Sequence, residues 1–375
     1  MKKPLGLYIH IPFCAAKCPY CGFYSKAPAP GDSPEETAGK RREYVKRVIE
    51  DTKELGAKYG PGRIVDTVYI GGGTPSILES ELIEDIIEAA RESFEICSDA
   101  EISIEVNPGT VTGEKLKAYR KDGINRLSIG CQSLDDGVLK NLGRIHTAAQ
   151  FKETFRLARE AGFENISCDL MFSVPGCTEG IWRETVREIV KTAPEHVSFY
   201  SLQIEEGTVF YDRYRRGEFD EVPDEVDRKM YHEALSILRE AGYVQYEISS
   251  AAKEGFRCRH NIKYWTLAEY IGIGDSASSY IDGKRVTNPP FYEYHENTAA
   301  DDMSEYVFTG LRMNDGIGLE DFEKRFGCSL FEAFPQGEEE LATFVREGDV
   351  LAEGGRLKIT EKGFDISNKI MAIFV

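Results

Sequence analysis

The feature that most constrains this fold is a strict alternation of strand-like and helix-like segments through roughly the first 210 residues. Leu5 to Ile11 reads as a buried strand that Pro12 ends, and Thr37 to Tyr59 carries apolar Val45, Val48, Ile49 and Leu55 at helical spacing. The alternation continues with strands at Ile64 to Ile70, Glu101 to Val106, Arg126 to Gly130, Ile166 to Phe172 and His196 to Ile204. Helices are predicted at Gly113 to Lys121, Phe151 to Ala161 and Ile181 to Lys191. Strands that each lead into a helix imply a parallel sheet with helical crossovers, and roughly six such units fit an incomplete (β/α)6 barrel better than an eightfold one. In such barrels the working site lies at the carboxyl ends of the strands. Cys14, Cys18, Cys21, the run Gly71-Gly72-Gly73-Thr74, Glu105, Gln132 and Asp169 all fall at or just after those ends.

Beyond the barrel, Asp224 to Ala241 is a further predicted helix and Tyr246 to Ser249 a short strand. The stretch from Ala252 to Glu296 reads as irregular and aromatic-rich, too long for a bare connection and therefore suspect as functional. Short helices at Ser304 to Leu311, Leu319 to Phe326 and Glu338 to Glu347, then a hairpin from Leu351 to Ile359 turning at Gly354-Gly355, suggest a small α+β winged-helix-like unit. The expected division is a partial barrel over residues 1–250, a connecting segment over 251–300 and a C-terminal domain over 301–375. Lys and Arg number 46 against 64 Asp and Glu, and a net charge of −18 excludes nucleic acid as a partner for that winged-helix-like unit. No window reaches the ~18 apolar residues of a membrane span, and the opening residues are too short in apolar run for a signal peptide, so a cytoplasmic protein is expected.

In a reducing compartment the nine cysteines are not a disulfide framework, and their spacing matters more than their number. Cys14-Ala-Ala-Lys-Cys18-Pro-Tyr-Cys21 offers three thiolates on one loop, which suits three corners of a [4Fe-4S] cluster and leaves one iron open to a chelating ligand. A structural zinc is the competing reading, but it needs a fourth ligand, and the nearest candidate, His10, lies within a predicted strand.

This cluster, with Tyr20 before the last cysteine and Tyr8-Ile-His-Ile-Pro-Phe13 ahead of it, resembles the radical S-adenosylmethionine superfamily. The resemblance implies that S-adenosylmethionine chelates the open iron and that an injected electron cleaves it to a 5′-deoxyadenosyl radical. It extends along most of the chain to the coproporphyrinogen III oxidase-like (HemN/HemW) branch. Carried over residue by residue, it implies that Gly72, Gly73 and Thr74 approach the methionine end of the ligand. Glu105, in Ile104-Glu-Val-Asn-Pro108, would accept the ribose hydroxyls, and Tyr8 and Tyr20 would line the adenosyl group. Gln132, Arg144 and Asp169 match positions that the oxidase uses around a second S-adenosylmethionine.

Within the branch, two departures disfavour the oxidase. This chain has Cys21-Gly22-Phe23 where the oxidase pattern carries another cysteine, and Tyr8 stands almost at the start, with no extension before it. Cys258-Arg-His260-Asn261-Ile-Lys-Tyr264-Trp265 contains the His-Asn-x-x-Tyr-Trp motif of the heme-chaperone members, which implies His260 as a heme ligand with aromatic neighbours. The resemblance therefore implies a heme chaperone that passes heme to acceptor hemoproteins, with a flavodoxin-type electron donor and peripheral association with membrane hemoproteins among its partners. The enzyme alternative is an oxygen-independent coproporphyrinogen III dehydrogenase of porphyrin biosynthesis. A non-radical iron-sulfur binding module is the third reading, and no catalytic residue is assigned.

Overall fold

The computed structural model describes residues 2–375. Its first part repeats one unit: β1 (Lys3–Ile11), α1 (Pro34–Tyr59), β2 (Arg63–Gly72), α2 (Ser80–Ser93), β3 (Ile96–Val106), α3 (Gly113–Lys121) and β4 (Arg126–Gln132). The series continues through α4 (Asp136–Asn141), α5 (Ala148–Glu160), β5 (Ile166–Phe172), α6 (Glu179–Thr192) and β6 (His196–Ser201). Strands β1 to β6 are parallel and lie side by side in chain order, as the alternation predicts. Helix α2 was not among the predicted elements, although Leu82, Ile83, Ile86, Ile87 and Ala90 have the spacing of one buried helical face.

The strands alternate with period two, and the two faces have different jobs. Leu5, Leu7, Ile9 and Ile11 of β1 are fully buried against the surrounding helices, as are Ile104 of β3, Leu127 and Ile129 of β4, and Cys168 and Leu170 of β5. Each such side chain contributes roughly 1.5–3 kcal/mol when removed from water. The opposite face turns inward and is polar: Tyr8 and His10, Thr67 and Tyr69, Ser103 and Glu105, Arg126 and Ser128, Ser167 and Asp169. An apolar outer face thus closes the fold while the inner face stays free for ligand chemistry.

After β6 come α7 (Val209–Arg215), α8 (Asp224–Glu240), β7 (Val244–Glu247) and β8 (Ser250–Ala252). The stretch expected to be irregular is instead ordered: it holds α9 (Arg259–Trp265), β9 (Tyr270–Ile273), β10 (Ser278–Ile281), β11 (Lys284–Thr287) and β12 (Glu293–Glu296). Strand β9 pairs parallel to β1, so this segment extends one edge of a single twelve-stranded sheet, while β8, antiparallel to β6, and β7 extend the other. Strands of three or four residues are too short to show a period in sequence, which explains the discrepancy.

The C-terminal unit comprises α10 (Ala299–Gly310), β13 (Ile317–Gly318), α11 (Leu319–Phe326), α12 (Leu330–Ala333), α13 (Gly337–Glu347), β14 (Val350–Glu353), β15 (Arg356–Ile359) and α14 (Ser367–Met371). Its three short strands form a small antiparallel sheet, and Val307, Phe322, Leu357, Ile359 and Phe374 build a core of its own. No helix among the described residues is long and apolar enough to cross a membrane.

Candidate functional site

The chain leaving β1 forms a loop whose base is closed by the Cys14 N–H donating to the Lys26 carbonyl and the Lys26 N–H donating to that of Pro12. Cys14, Cys18 and Cys21 are carried on this loop at the carboxyl end of the barrel, and all three line a cavity of about 720 Å³. The Thr74 hydroxyl lies 3.6 Å from the Cys14 sulfur, and an Arg144 Nη lies 3.7 Å from that of Cys18. Burial pushes the Cys21 thiol upward from its ordinary value, an effect that ligation to iron would offset.

The glycine run has a steric reason. Gly72 has φ +114, and a Cβ placed there would meet the His10 ring at 2.6 Å. At Gly73 a Cβ would lie 2.8 Å from the Phe13 carbonyl and 3.1 Å from the Cys14 sulfur. The cysteine loop can therefore close over the end of β2 only because these residues lack side chains. His10 is itself committed. Its Nε2 donates to the Tyr24 carbonyl at 2.8 Å, so its Nδ1 accepts from the Tyr8 hydroxyl at 3.0 Å. With both nitrogens used it offers no fourth ligand, which removes the support for a structural zinc. Three thiols around one cavity mouth, with the glycine cradle beside them, fit the cluster.

Glu105 accepts from the Tyr69 hydroxyl at 3.0 Å and from the Gly72 N–H at 3.1 Å. Burial, and then the negative charge of Asp169, push its carboxyl up to about 7. Asp169 accepts from Ser128 and Ser167, and burial raises its carboxyl as well. Asn107 ties the site together: its amide donates to the Thr74 hydroxyl at 2.7 Å, and its carbonyl oxygen accepts from Arg144 at 2.6 Å. Sequence reasoning passed over Asn107, although it lies on the same inward face as Glu105, two residues on. Gln132 sits at φ +56, with a buried side-chain oxygen that no described residue meets. Tyr8, Tyr20, Gly72, Gly73, Thr74, Glu105, Gln132, Arg144 and Asp169 all line the cavity that the cysteines line.

His260 does not line that cavity, although its ring lies 6.4 Å from that of Tyr8. Helix α9 precedes β9, which runs parallel to β1, so α9 lies at the amino end of the barrel, opposite the cysteine loop. Glu101 of β3 caps α9 by accepting the N–H groups of Arg259 at 3.0 Å and His260 at 3.1 Å. Lys263 is bound to Asp66 at 2.7 Å. His260 is fully buried, with Nδ1 2.9 Å from the Thr67 hydroxyl and Nε2 2.9 Å from the Tyr264 hydroxyl, and its ring stacks on Tyr69. Burial, and then the positive charge of Lys263, hold its imidazole down at about 3, so it is neutral at working pH. It is Asn261, Tyr264 and Trp265 that line the cavity, not the imidazole behind them. The sequence motif put all of these residues in one segment but did not reveal that Tyr264 covers His260.

Residues 8–189 match the radical SAM superfamily, and residues 297–366 match the HemN C-terminal domain. The fold is that of the solved coproporphyrinogen III oxidase (HemN) from Escherichia coli, with a TM-score of 0.86 at 22% identity over 100% of this chain and 90% of that one. The class is therefore a radical SAM protein with a HemN-like architecture. Proteins named heme chaperone HemW from Lactococcus lactis, Bacillus subtilis and Escherichia coli are 32%, 33% and 33% identical to it. Those matches cover 100%, 98% and 99% of this chain and 98% of each relative. The chain belongs to the HemW family. Family membership implies a [4Fe-4S] cluster and S-adenosylmethionine.

Proposed function

We propose that the chain is a heme chaperone, which binds heme and passes it to acceptor hemoproteins from a scaffold holding a [4Fe-4S] cluster and S-adenosylmethionine. The observation that carries this reading is the match to HemW-named relatives across both domains. Cys14, Cys18 and Cys21 hold the cluster, which when loaded supplies the electron for S-adenosylmethionine cleavage. Gly72, Gly73 and Thr74 receive the methionine end, Glu105 the ribose, and Tyr8 and Tyr20 flank the adenosyl group. Gln132, Arg144 and Asp169 line the same cavity and match the positions that the oxidase uses around a second S-adenosylmethionine, a match that reflects shared ancestry more than a shared second ligand.

Heme is assigned to the amino end of the barrel, with His260 as its axial ligand and Tyr264 and Trp265 against the macrocycle. Ligation at Nε2 requires the Tyr264 hydroxyl to release that nitrogen. A flavodoxin-type donor, residence in the cytoplasm and peripheral contact with membrane hemoproteins complete the proposal.

The test is a heme titration of the full-length, cluster-loaded protein beside His260→Ala, alongside anaerobic incubation with coproporphyrinogen III, S-adenosylmethionine and reductant. A Soret shift lost in His260→Ala, with coproporphyrinogen unchanged, is the expected result. Decarboxylation of coproporphyrinogen would replace the chaperone with the dehydrogenase. A variant that titrates like the parent would remove His260 as ligand.

A further inference from the structure

Arg126, the first residue of β4, projects from the inner face of the barrel near its amino end and lines the central cavity while only 2% exposed. An arginine stays charged in a protein and carries five N–H donors. Among the described residues none accepts a hydrogen bond from this guanidinium or forms an ion pair with it, and its Nε is fully buried without a partner. Four buried or half-buried carboxylates lie around the same cavity, but each is occupied elsewhere. Glu101 caps α9, Asp169 accepts from two serines, Glu105 accepts from Tyr69 and Gly72, and Glu247 accepts from the Ser249 N–H and pairs with Arg312. Glu101 compensates part of the charge at a distance but accepts no hydrogen bond from it. A buried charged group with its Nε unmet is costly, and a cavity wall is where a ligand can meet its remaining donors.

The surroundings indicate what kind of ligand. Arg126 lines the cavity together with Tyr69 and is electrostatically coupled to Tyr246, which packs in one cluster with Trp265. Arg312, entering from the C-terminal unit, stacks on the Trp265 ring at 4.4 Å and reaches Glu247 at 3.5 Å, so its charge is already partly matched. This end of the cavity thus joins aromatic faces to one unmatched guanidinium. We propose that Arg126 is the receptor for a carboxylate carried by a flat aromatic ligand, namely a porphyrin propionate, bound at the amino end of the barrel. The proposal rests on the heme-chaperone reading and adds to it the group that orients the ligand. A fork of parallel N–H donors matches a carboxylate bidentately, which fixes orientation as well as affinity. S-adenosylmethionine also carries a carboxylate, so the experiment must separate the two sources.

Full-length, cluster-loaded protein is titrated with ferric heme and with heme dimethyl ester, whose propionates carry no charge, and separately with S-adenosylmethionine. The same titrations are made on Arg126→Met and Arg126→Lys, with far-UV circular dichroism as the folding control. The wild type is expected to prefer heme over the diester by about tenfold or more. Arg126→Met should bring that ratio close to one without changing S-adenosylmethionine affinity, and Arg126→Lys should keep part of the preference. The wild-type ratio needs no variant, so the proposal remains testable if Arg126→Met does not fold. Equal wild-type affinities, or a preference that survives in Arg126→Met, would overturn the carboxylate assignment and leave the heme reading standing. Binding of neither porphyrin would overturn both. An Arg126→Met variant that loses S-adenosylmethionine but retains the heme preference would give the site to the methionine carboxylate.

Discussion

Glu105→Gln should make the protein more stable at pH 8 while weakening its hold on S-adenosylmethionine. Burial, and then Asp169, raise the Glu105 carboxyl from 4.5 to about 7. A carboxyl raised on folding contributes stability that is complete below its unfolded value near 4.5 and lost as pH climbs through about 7. At about 1.4 kcal/mol per pH unit, the ceiling on that loss at pH 8 is about 3 kcal/mol. Water in the cavity screens part of it, so a gain of about 1–2 kcal/mol is expected from the neutral isostere. Glutamine keeps one oxygen to accept from Tyr69 or Gly72, and the lost second acceptance is included in the lower figure. Urea unfolding of the cluster-loaded protein without S-adenosylmethionine, at pH 5.5 and pH 8, measures the difference. Groups remote from Glu105 cancel in the comparison, while Asp169, whose charge is coupled to that of Glu105, is relieved in the variant and adds to the gain at pH 8. The stabilisation should be larger at pH 8 than at pH 5.5, where only about 1.4 kcal/mol of that ceiling has been reached, one pH unit above the unfolded value. A variant less stable than the parent at both values would refute the claim that the inward carboxylates are held at a cost.

Gly72→Ala combines a positive φ with a Cβ 2.6 Å from the His10 ring, so it should lose at least about 2 kcal/mol and its S-adenosylmethionine binding, read by urea midpoint and equilibrium dialysis. Thr67→Val keeps shape but leaves the buried Nδ1 of His260 without its partner, and should cost about 1–3 kcal/mol; an unchanged midpoint would show that this hydrogen bond is dispensable. Because the His260 imidazole is held at about 3, heme affinity should be flat between pH 6 and pH 8; a tenfold fall toward pH 6 would point to an exposed histidine instead. Cys14→Ser combined with Cys18→Ser should abolish the broad visible absorption after anaerobic reconstitution with iron and sulfide, and retained absorption would remove those two residues as cluster ligands.

The parallel core was readable because its strands are long enough for period two to be visible, as in β1, where Leu5, Leu7, Ile9 and Ile11 face one way and Tyr8 and His10 the other. Placing the cysteines and the glycine run at strand ends then gave most of the carboxyl-end site. Two properties were not readable. The edge strands β9 to β12 have four residues each, too few to register, and without β9 nothing in the sequence tells at which end of the barrel α9 lies. A motif also names residue types but not their burial. His260 looked like an exposed ligand beside aromatics, whereas Tyr264, one helical turn on, occupies its Nε2 and takes the cavity wall. In the sequence Arg126 marks only the start of a strand. Its lack of a partner becomes visible only once the neighbouring carboxylates are seen to be occupied.

The central claim is transfer, and the most direct measurement mixes the heme-loaded, full-length protein with an apo-hemoprotein and follows the Soret spectrum of each after separation. The account predicts that heme leaves this chain and appears in the acceptor, and that His260→Ala has no heme to give. Heme that stays on the chain while the acceptor remains empty, or wild-type protein that never takes up heme, would contradict it.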